Sequence, residues 1–345
     1  MARTVKKLRV LVLADKDLVP PEKYEGKDYT DEPWKMEYDV QVTLRNLGHE
    51  VRTLGLLRNI EAVQEVQREW QPDIAFNLME DVYGVIPYDH NVVALLELLG
   101  LAYTGCNPLG LALSRDKGLA KELLAYHRIR SPNFAVCPRG KKVRRLKRLA
   151  FPLIVKPLIE EASLGISRQS VVEDDKALAE RVAFVHENLE AGAIVEQFIP
   201  GREVYVGVLG NERLSVLPPW ELLIKHQPEG APFLATRWVK WHAGYQKRLG
   251  VSTRRAEGLP EGMEARLARL SRRAYRALGL SGYARLDFRL AEDGRAYLLE
   301  ANANPQLALG EDFAEAAEHA GLPYPKLLQR ILDLGLRWKA AHDIV

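Results

Sequence analysis

The chain changes its hydrophobic period several times, and the changes mark its elements. Residues 8–14 are largely apolar, the pattern of a buried parallel strand. Residues 34–47 set Val40, Leu44 and Leu47 at helical spacing and stop at Gly48. A second strand is expected over 49–54, a second helix over 60–70 ended by Pro72, and a third strand over 73–77. After a long loop, 78–88, come an apolar helix at 91–99 and a short strand at 102–104 ended by Gly105. Alternating strand and helix predicts an open parallel sheet with helices on both faces.

From about residue 113 the rhythm differs. A helix over 116–126, strands over 133–136 and 153–156 around a basic helix, a strand over 167–172, a helix over 175–189 and a strand over 193–198 make a small α+β unit. Beyond it, 203–209 and 214–218 read as a hairpin about Gly210-Asn211. Residues 220–258 have no clean period and are dense in Trp, Lys and Arg, which suits a functional loop or a flap. An amphipathic helix, 261–278, precedes two alternating strands, 283–290 and 296–302, and helices at 312–320 and 326–340. The expected fold class is α/β and α+β in three domains. These are a parallel-sheet N-terminal domain (1–112), a small central domain (113–198) and a C-terminal antiparallel-sheet domain (199–345).

The last strand pair carries the most chemistry. Asp293-Gly294 is the favoured pair for a two-residue hairpin turn, because both central residues need positive φ. With that turn Glu292 faces Arg295, Asp287 faces Glu300 and Arg285 faces Asn302. Opposite residues share a face, so these last four stand together while Leu286, Phe288, Leu299 and Ala301 turn to a core. Two facing carboxylates repel and need a reason. Asp287, Glu300 and Asn302 offer three oxygen ligands beside an arginine, a set that suits Mg²⁺ bridging to phosphate. Otherwise the face is a solvated one whose acids pair with Arg285 and Arg289.

Composition narrows the class. The chain has 345 residues, 47% hydrophobic and 28% charged, which suits a globular protein of two or three domains. A net charge of +3 is too mild to argue for nucleic acid. The strongest basic run, residues 139–148 (RGKKVRRLKR), has no interleaved aromatics and reads as a solvated face. Cys106 and Cys137 lack metal-binding spacing and suit reduced thiols in a cytoplasmic protein. No stretch approaches the ~20 apolar residues of a membrane span, so neither a membrane nor a nucleic acid is an expected partner. The chain lacks G-x-x-x-x-G-K-[ST], a G-x-G-x-x-G after a strand, H-E-x-x-H and G-x-S-x-G.

Several weaker features gain from one another. Lys156 ends an apolar strand, where an ammonium needs an anion. The loop after it holds Ser163 and Gly165, which can turn backbone N–H groups toward phosphate. Residues 195–203 (VEQFIPGRE) run from a strand into a turn, where exposed backbone amides could read an adenine edge and Glu203 could accept ribose hydroxyls. Lys117 follows a helix-capping Asp116, and Lys240 lies in a Trp-Val-Lys-Trp stretch. Taken singly, these also fit a snorkelling or solvated lysine, an ordinary connector and a cation–π contact.

The segments PDIAFN, ALLELLGLAYTGCNPLGLALSRDKGLAKELL, FPLIVKP, EEASLG, IVEQFIPGREV and ARLDFRL…YLLEANANP fall in order between residues 73 and 305. As a spaced set they resemble the ATP-grasp superfamily and, within it, the D-alanine–D-alanine ligase family. The resemblance implies a three-domain ATP-grasp fold with residues 113–198 as its lid. It implies ATP and two Mg²⁺ (or Mn²⁺) as cofactors. Lys117 and Lys156 would hold ATP phosphates, with Glu160 and Ser163 in the loop that covers them. Glu196, Gln197, Phe198 and Ile199 would frame the adenine, and Glu203 would hold the ribose. Lys240 would sit on a flap near the γ-phosphate. Asp287, Glu300 and Asn302 would bind the metals, and Arg285 would stabilise the reacting carboxylate. The implied activity is ATP-dependent amide formation through an acylphosphate, on amino-acid or peptide substrates, with a homodimer as the inherited assembly.

The departures fall at the amino-acid end of that site. The family's Gly-Gly-x-Ser-x-Glu signature is absent, and Glu80-Asp81 stand in place of a His-Gly pair. Ala162 stands for a serine, Gln306 for a glycine and Glu311-Asp312 for a Ser-Leu pair. Glu80, Asp81 and Glu311 could receive an amino group or a cationic substrate instead. Two other readings stand beside the ligase: a nucleotide-binding protein that keeps the fold without the chemistry, and a nucleic-acid binder using residues 139–148.

Overall fold

The computed structural model describes residues 6–339 except 23, 25, 27, 58, 83, 142–144, 160–164, 227–233, 235, 237, 238, 240 and 241. β1 (Arg9–Asp15), β2 (Glu50–Leu56) and β3 (Ile74–Asn77) form a parallel sheet in the order β2-β1-β3. β1 is apolar on both sides because both of its faces are covered. Leu11 and Leu13 pack with Val63 and Trp70 of α2 (Glu61–Trp70) and Val93 and Leu96 of α3 (Asp89–Leu98). Val10 and Val12 pack with Val40 and Leu44 of α1 (Lys35–Asn46). The strand expected at 102–104 is reduced to one parallel bridge between Ala75 and Tyr103. A helix that the sequence reading passed over, α4 (Pro108–Arg115), follows. Asn107 caps it by accepting the Gly110 N–H at 3.0 Å, and Pro108 occupies its first turn.

The central sheet has the order β4-β7-β5-β6, built from β4 (Phe134–Cys137), β5 (Leu153–Pro157), β6 (Val171–Val172) and β7 (Ala193–Gln197). It is antiparallel throughout. Before it runs α5 (Lys117–Tyr126), capped by Asp116 on the Leu119 N–H. Leu178, Val182 and Val185 of α6 (Asp175–Asn188) fill one face of the sheet with Leu153, Val155 and Val195. The strand expected over 167–172 begins instead as a 3-10 turn, Arg168–Ser170. The basic run 139–148 forms no helix among its described residues. Its arginines meet acids at the surface, Arg145 with Asp175 at 2.7 Å and Arg139 with Glu190 at 3.6 Å.

The last sheet, of six antiparallel strands, has the order β11-β10-β8-β12-β13. Its strands are β8 (Arg202–Leu209), β9 (Ser215–Val216, paired to the end of β8), β10 (Trp220–Ile224), β11 (Val251–Arg255), β12 (Tyr283–Leu290) and β13 (Ala296–Ala303). The segment expected to lack regular structure therefore supplies two strands and α7 (Ala243–Leu249) between them. Leu222 holds β10 in a core while β11 stays exposed, which blurs the period. α8 (Met263–Ala277) covers one side of this sheet and α9 (Asp312–His319) the other. The final helix, α10 (Tyr324–Arg337), leaves that sheet and packs on α1 and β3. First and last segments thus share cores, one running from Leu11 through Leu111 and Leu124 to Leu286 and Phe288.

The β12–β13 turn differs from the expected one. Ala291 N donates to Arg295 O and Gly294 N donates to Ala291 O, both at 2.9 Å. Of the two residues, only Gly294 has positive φ, at 75°. The loop has three residues with glycine in the left-handed position, not two. That shift is undone by a bulge at Leu299: Asp287 still pairs with Glu300 and Arg285 with Asn302, whereas Phe288 pairs with Leu298. Leu298, not Leu299, is the core residue.

Candidate active site

β12 and β13 place Arg285, Asp287, Glu300 and Asn302 on one face, opposite Leu286 and Phe288. The Arg285 fork grips Asp287, Nε to Oδ1 at 2.8 Å and Nη2 to Oδ2 at 3.0 Å. Its Nη1 reaches Asp312 Oδ2 of α9 at 3.0 Å, and its Cζ lies 4.5 Å from the Tyr205 ring. A guanidinium has five N–H donors, so two meet no acceptor among the described residues. These acids are partly buried and paired rather than solvated.

Two carboxylates face each other across the ladder with an amide oxygen one pair along. The Asn302 Nδ2 is buried without a hydrogen-bond partner, so the fold leaves that amide's orientation to a ligand. Hard oxygen donors of this kind fit Mg²⁺ or Mn²⁺. Among the described residues no cluster of three or more His, Cys, Asp or Glu forms a metal cage, because the third donor here is an amide.

Facing this hairpin is a buried lysine cluster. Lys156 of β5 and Glu196 of β7 are diagonal neighbours on the sheet face away from α6, with Nζ to Oε2 at 3.1 Å. Lys121 of α5 reaches Glu196 Oε1 at 3.3 Å and the Leu299 carbonyl at 3.0 Å. The bulge that restores the site's register thus meets a buried ammonium. Lys117, one turn earlier on α5, is also buried, so it is not the solvated lysine that a capped helix start would otherwise suggest. Burial pushes the Glu196 carboxyl up, but Lys121 and Lys156 outweigh it and hold the group below the usual range. Burial lowers Lys156, and Glu196, Glu300 and Glu203 more than reverse this. In Lys117 and Lys121 burial prevails and both sit below the usual lysine range, offset in part by Glu300 and Glu196 respectively. Buried ammonium groups of this kind suit a polyanion.

The 195–203 segment is more occupied than expected. Gln197 N donates to Asn133 O at 2.8 Å and Phe198 N to Pro152 O at 3.1 Å, so neither N–H is open to an adenine edge. Ile199 is buried beside them, and its N–H meets no acceptor among the described residues. Glu203 accepts from Arg289 Nη2 at 2.8 Å and from the Tyr205 hydroxyl at 3.0 Å. Glu160, Ser163 and Lys240 lie outside the described residues. Lys121 and Tyr205 were not singled out from the sequence, and Asp312 only as half of the Glu311-Asp312 departure. Lys121 was within reach, because Lys117 and Lys121 stand four apart on one helix face.

A second group of acids lines the C-terminal edge of the parallel sheet. Glu37, in the first turn of α1, is 1% exposed, and neither oxygen has a hydrogen-bond partner. Burial pushes its carboxyl up to about 8, with Glu80 and Asp15 adding to the rise. Burial also raises Glu80 and Glu311. Asp81 turns back to its own loop and accepts the Gly84 N–H at 2.9 Å. A folded-state value above the ordinary 4.5 means that Glu37's contribution to stability is complete below that value and is lost as pH rises to about 8. Urea melts of ligand-free protein should therefore show a loss on the order of several kcal/mol from about pH 5 to pH 8 that Glu37→Gln largely removes. Parallel pH profiles of the two proteins would refute this.

Known proteins give the arrangement a class. D-alanine–D-alanine ligase from Bacillus anthracis, solved in complex with ATP, matches at a TM-score of 0.72 and 23% identity, over 96% of this chain and 98% of its own. The VanG D-Ala:D-Ser ligase from Enterococcus faecalis matches at 0.72 and 18%, over 96% and 100%. The fold is ATP-grasp, as expected. The family model "D-ala D-ala ligase C-terminus" matches residues 113–333. A D-alanine–D-alanine ligase from Nitratidesulfovibrio vulgaris is 33% identical over 311 residues, 88% of this chain and 95% of that one. An uncharacterised protein, y4sG, from Sinorhizobium fredii is 33% identical over 325 residues, 89% and 90%. The chain belongs to the D-alanine–D-alanine ligase family. It is an ATP-dependent amide-forming ligase that acts on small molecules. No described helix is long and apolar enough to cross a membrane.

Proposed function

We propose that the protein joins the carboxylate of one amino acid or small peptide to the amine of another, using three units (1–112, 113–198 and 199–345) around one ATP. The observation that supports this most is the face shared by Arg285, Asp287, Glu300 and Asn302. Lys117 and Lys156 bind the phosphates, Glu160 and Ser163 cover them, and Lys240 closes toward the γ-phosphate. Glu196, Gln197, Phe198 and Ile199 border the adenine, with the Ile199 N–H as the open donor, and Glu203 orients the ribose. Asp287, Glu300 and Asn302 would hold Mg²⁺, two ions or Mn²⁺ in their place, supplying charge neutralisation at the phosphates.

Phosphoryl transfer needs positioning and charge balance more than covalent help. The substrate carboxylate attacks the γ-phosphate, giving an acylphosphate and ADP. The amine then attacks the acyl carbon, and phosphate leaves from the tetrahedral intermediate. The two uncommitted N–H groups of Arg285 point the charge of that intermediate toward a fixed cation. The buried free cysteines, Cys106 and Cys137, suit a cytoplasmic setting, and a homodimer is the proposed assembly.

The test is an ADP-release screen over D- and L-amino acids with Mg²⁺, with hydroxylamine added to trap the acylphosphate. Amino-acid-dependent ADP release with hydroxamate formation is expected. Nucleotide binding without any such release would leave a binding protein that lacks the chemistry.

A further inference from the structure

We propose that one of the two amino-acid substrates carries a second cationic group, as a diamino acid does, and that Glu37 and Glu80 receive it at the C-terminal edge of the parallel sheet. The proposal rests on the ligase reading above and narrows its substrate.

Glu37 carries the case. It is buried to 1%, and both of its carboxylate oxygens lack a partner. Burial without donors keeps the Glu37 carboxyl protonated up to about pH 8, and a bound cation is what would let it ionise there. Among the described residues no cation does so, and only its own backbone N–H favours the ionised form. The nearest lysine on the same helix, Lys35, is committed to Asp39 at 2.9 Å and to the Leu309 carbonyl. Arg115, the cation that acts on Glu80, is committed to Asp89 at 2.5 and 3.0 Å. The charges that Glu37 itself feels come from Glu80 and Asp15, both negative. Asp15 accepts the Asp17 N–H with one oxygen, and no described cation pairs with it. Acids from the end of β1, the first turn of α1 and the loop after β3 thus act on one another, and no described cation pairs with Glu37.

The position suits a substrate. Ligands of open parallel sheets bind beyond the carboxyl ends of the strands, where Asp15 and Glu80 lie. Glu80 is exposed to water yet crowded enough for burial to raise it, as on the wall of a cleft. Burial raises the hydroxyl of Tyr283, two residues before Arg285 on β12, and the Glu80 charge adds to the rise. The first turn of α1 is pinned to the segment that leads to Asp312. Leu307 N donates to Met36 Sδ at 3.3 Å, and Leu309 N donates to Asp39 Oδ2 at 2.9 Å. The first turns of α1 thus neighbour the segment that carries Asp312, the partner of Arg285. A side-chain ammonium could donate to both Glu37 oxygens while the α-ammonium stays beside the reacting carboxyl group, which an alanine side chain cannot do.

Lysine and ornithine, in both configurations, are to be compared with norleucine and alanine as substrates of the full chain, reading ADP release. A charge-assisted contact of this kind predicts kcat/KM at least about 30-fold higher for lysine than for its uncharged isostere norleucine. In Glu37→Gln, and separately in Glu80→Gln, that ratio should collapse to within about threefold, through KM. With a non-hydrolysable ATP analogue bound, lysine should raise the melting temperature of the wild type and norleucine should not. Equal use of norleucine and lysine, or a preference that survives both substitutions, overturns the proposal while leaving the ligase reading intact. If no amino acid releases ADP, the ligase reading fails. A lysine-specific melting shift that Glu37→Gln removes would still support the cation site, and its absence would end it.

Discussion

Arg285→Met is expected to lower kcat by about 10²–10³-fold while changing ATP affinity by less than about threefold. Arg285 makes three charge-assisted bonds, two to Asp287 and one to Asp312, and its other two donors meet no acceptor among the described residues. Its cation matters most where negative charge develops on the acyl oxygen, so its removal affects the transition state more than nucleotide binding. Arg285→Lys should recover little of the rate, because a point charge cannot reproduce the planar fork that spans both carboxylates. Loss of the arginine also leaves Asp287 without its fork, so folding must be monitored alongside. Single-turnover ADP formation and nucleotide titration on the same samples decide it. A kcat that stays within a few-fold of wild type, or an ATP affinity that falls in step with kcat, would remove Arg285 from the chemistry.

Glu196→Gln should destabilise the nucleotide-free protein by about 3–5 kcal/mol, the range for breaking a buried ion pair by removing one partner. Lys121 and Lys156 both rely on this carboxylate, at 3.3 and 3.1 Å. A neutral amide can accept from one of them but carries no charge to offset two buried ammonium groups. ATP brings its own anions to the same cluster, so a non-hydrolysable analogue should stabilise Glu196→Gln more than it stabilises the wild type. Denaturant melts of both proteins, with and without analogue, measure the difference. An analogue effect equal in the two proteins would mean that the phosphates do not reach these lysines. Lys121→Met tests the same cluster from the other side, since it removes one charge and releases the Leu299 carbonyl.

The hairpin shows how a local inference can reach the right pairing by the wrong route. Asp293-Gly294 pointed to a two-residue turn, and the chain instead makes a three-residue loop with positive φ at Gly294 alone. Asp293 is held by accepting the Arg295 N–H, which favours the longer turn. The bulge at Leu299 then shifts the register back by one residue, and Asp287 meets Glu300 as expected. Nothing in the alternation of 296–302 marks that bulge. Its support is Lys121, from a helix about 180 residues earlier, and the Leu298 N–H donating to Arg130 O at 2.9 Å.

Local pattern alone determined most of the strands and helices, the parallel first sheet and antiparallel last one, and the family to which the spaced motifs belong. Those features depend on side-chain period, caps and turn residues, which act over a few positions. Only the tertiary structure decided that α10 returns to close the first sheet, that the described residues of 220–258 include β10, β11 and α7, and that Lys117, Lys121 and Lys156 are buried around Glu196 and Glu300. It alone left Glu37 inside without a partner. Burial and charge balance are properties of groups distant in sequence, and no window along the chain contains both partners of such a contact.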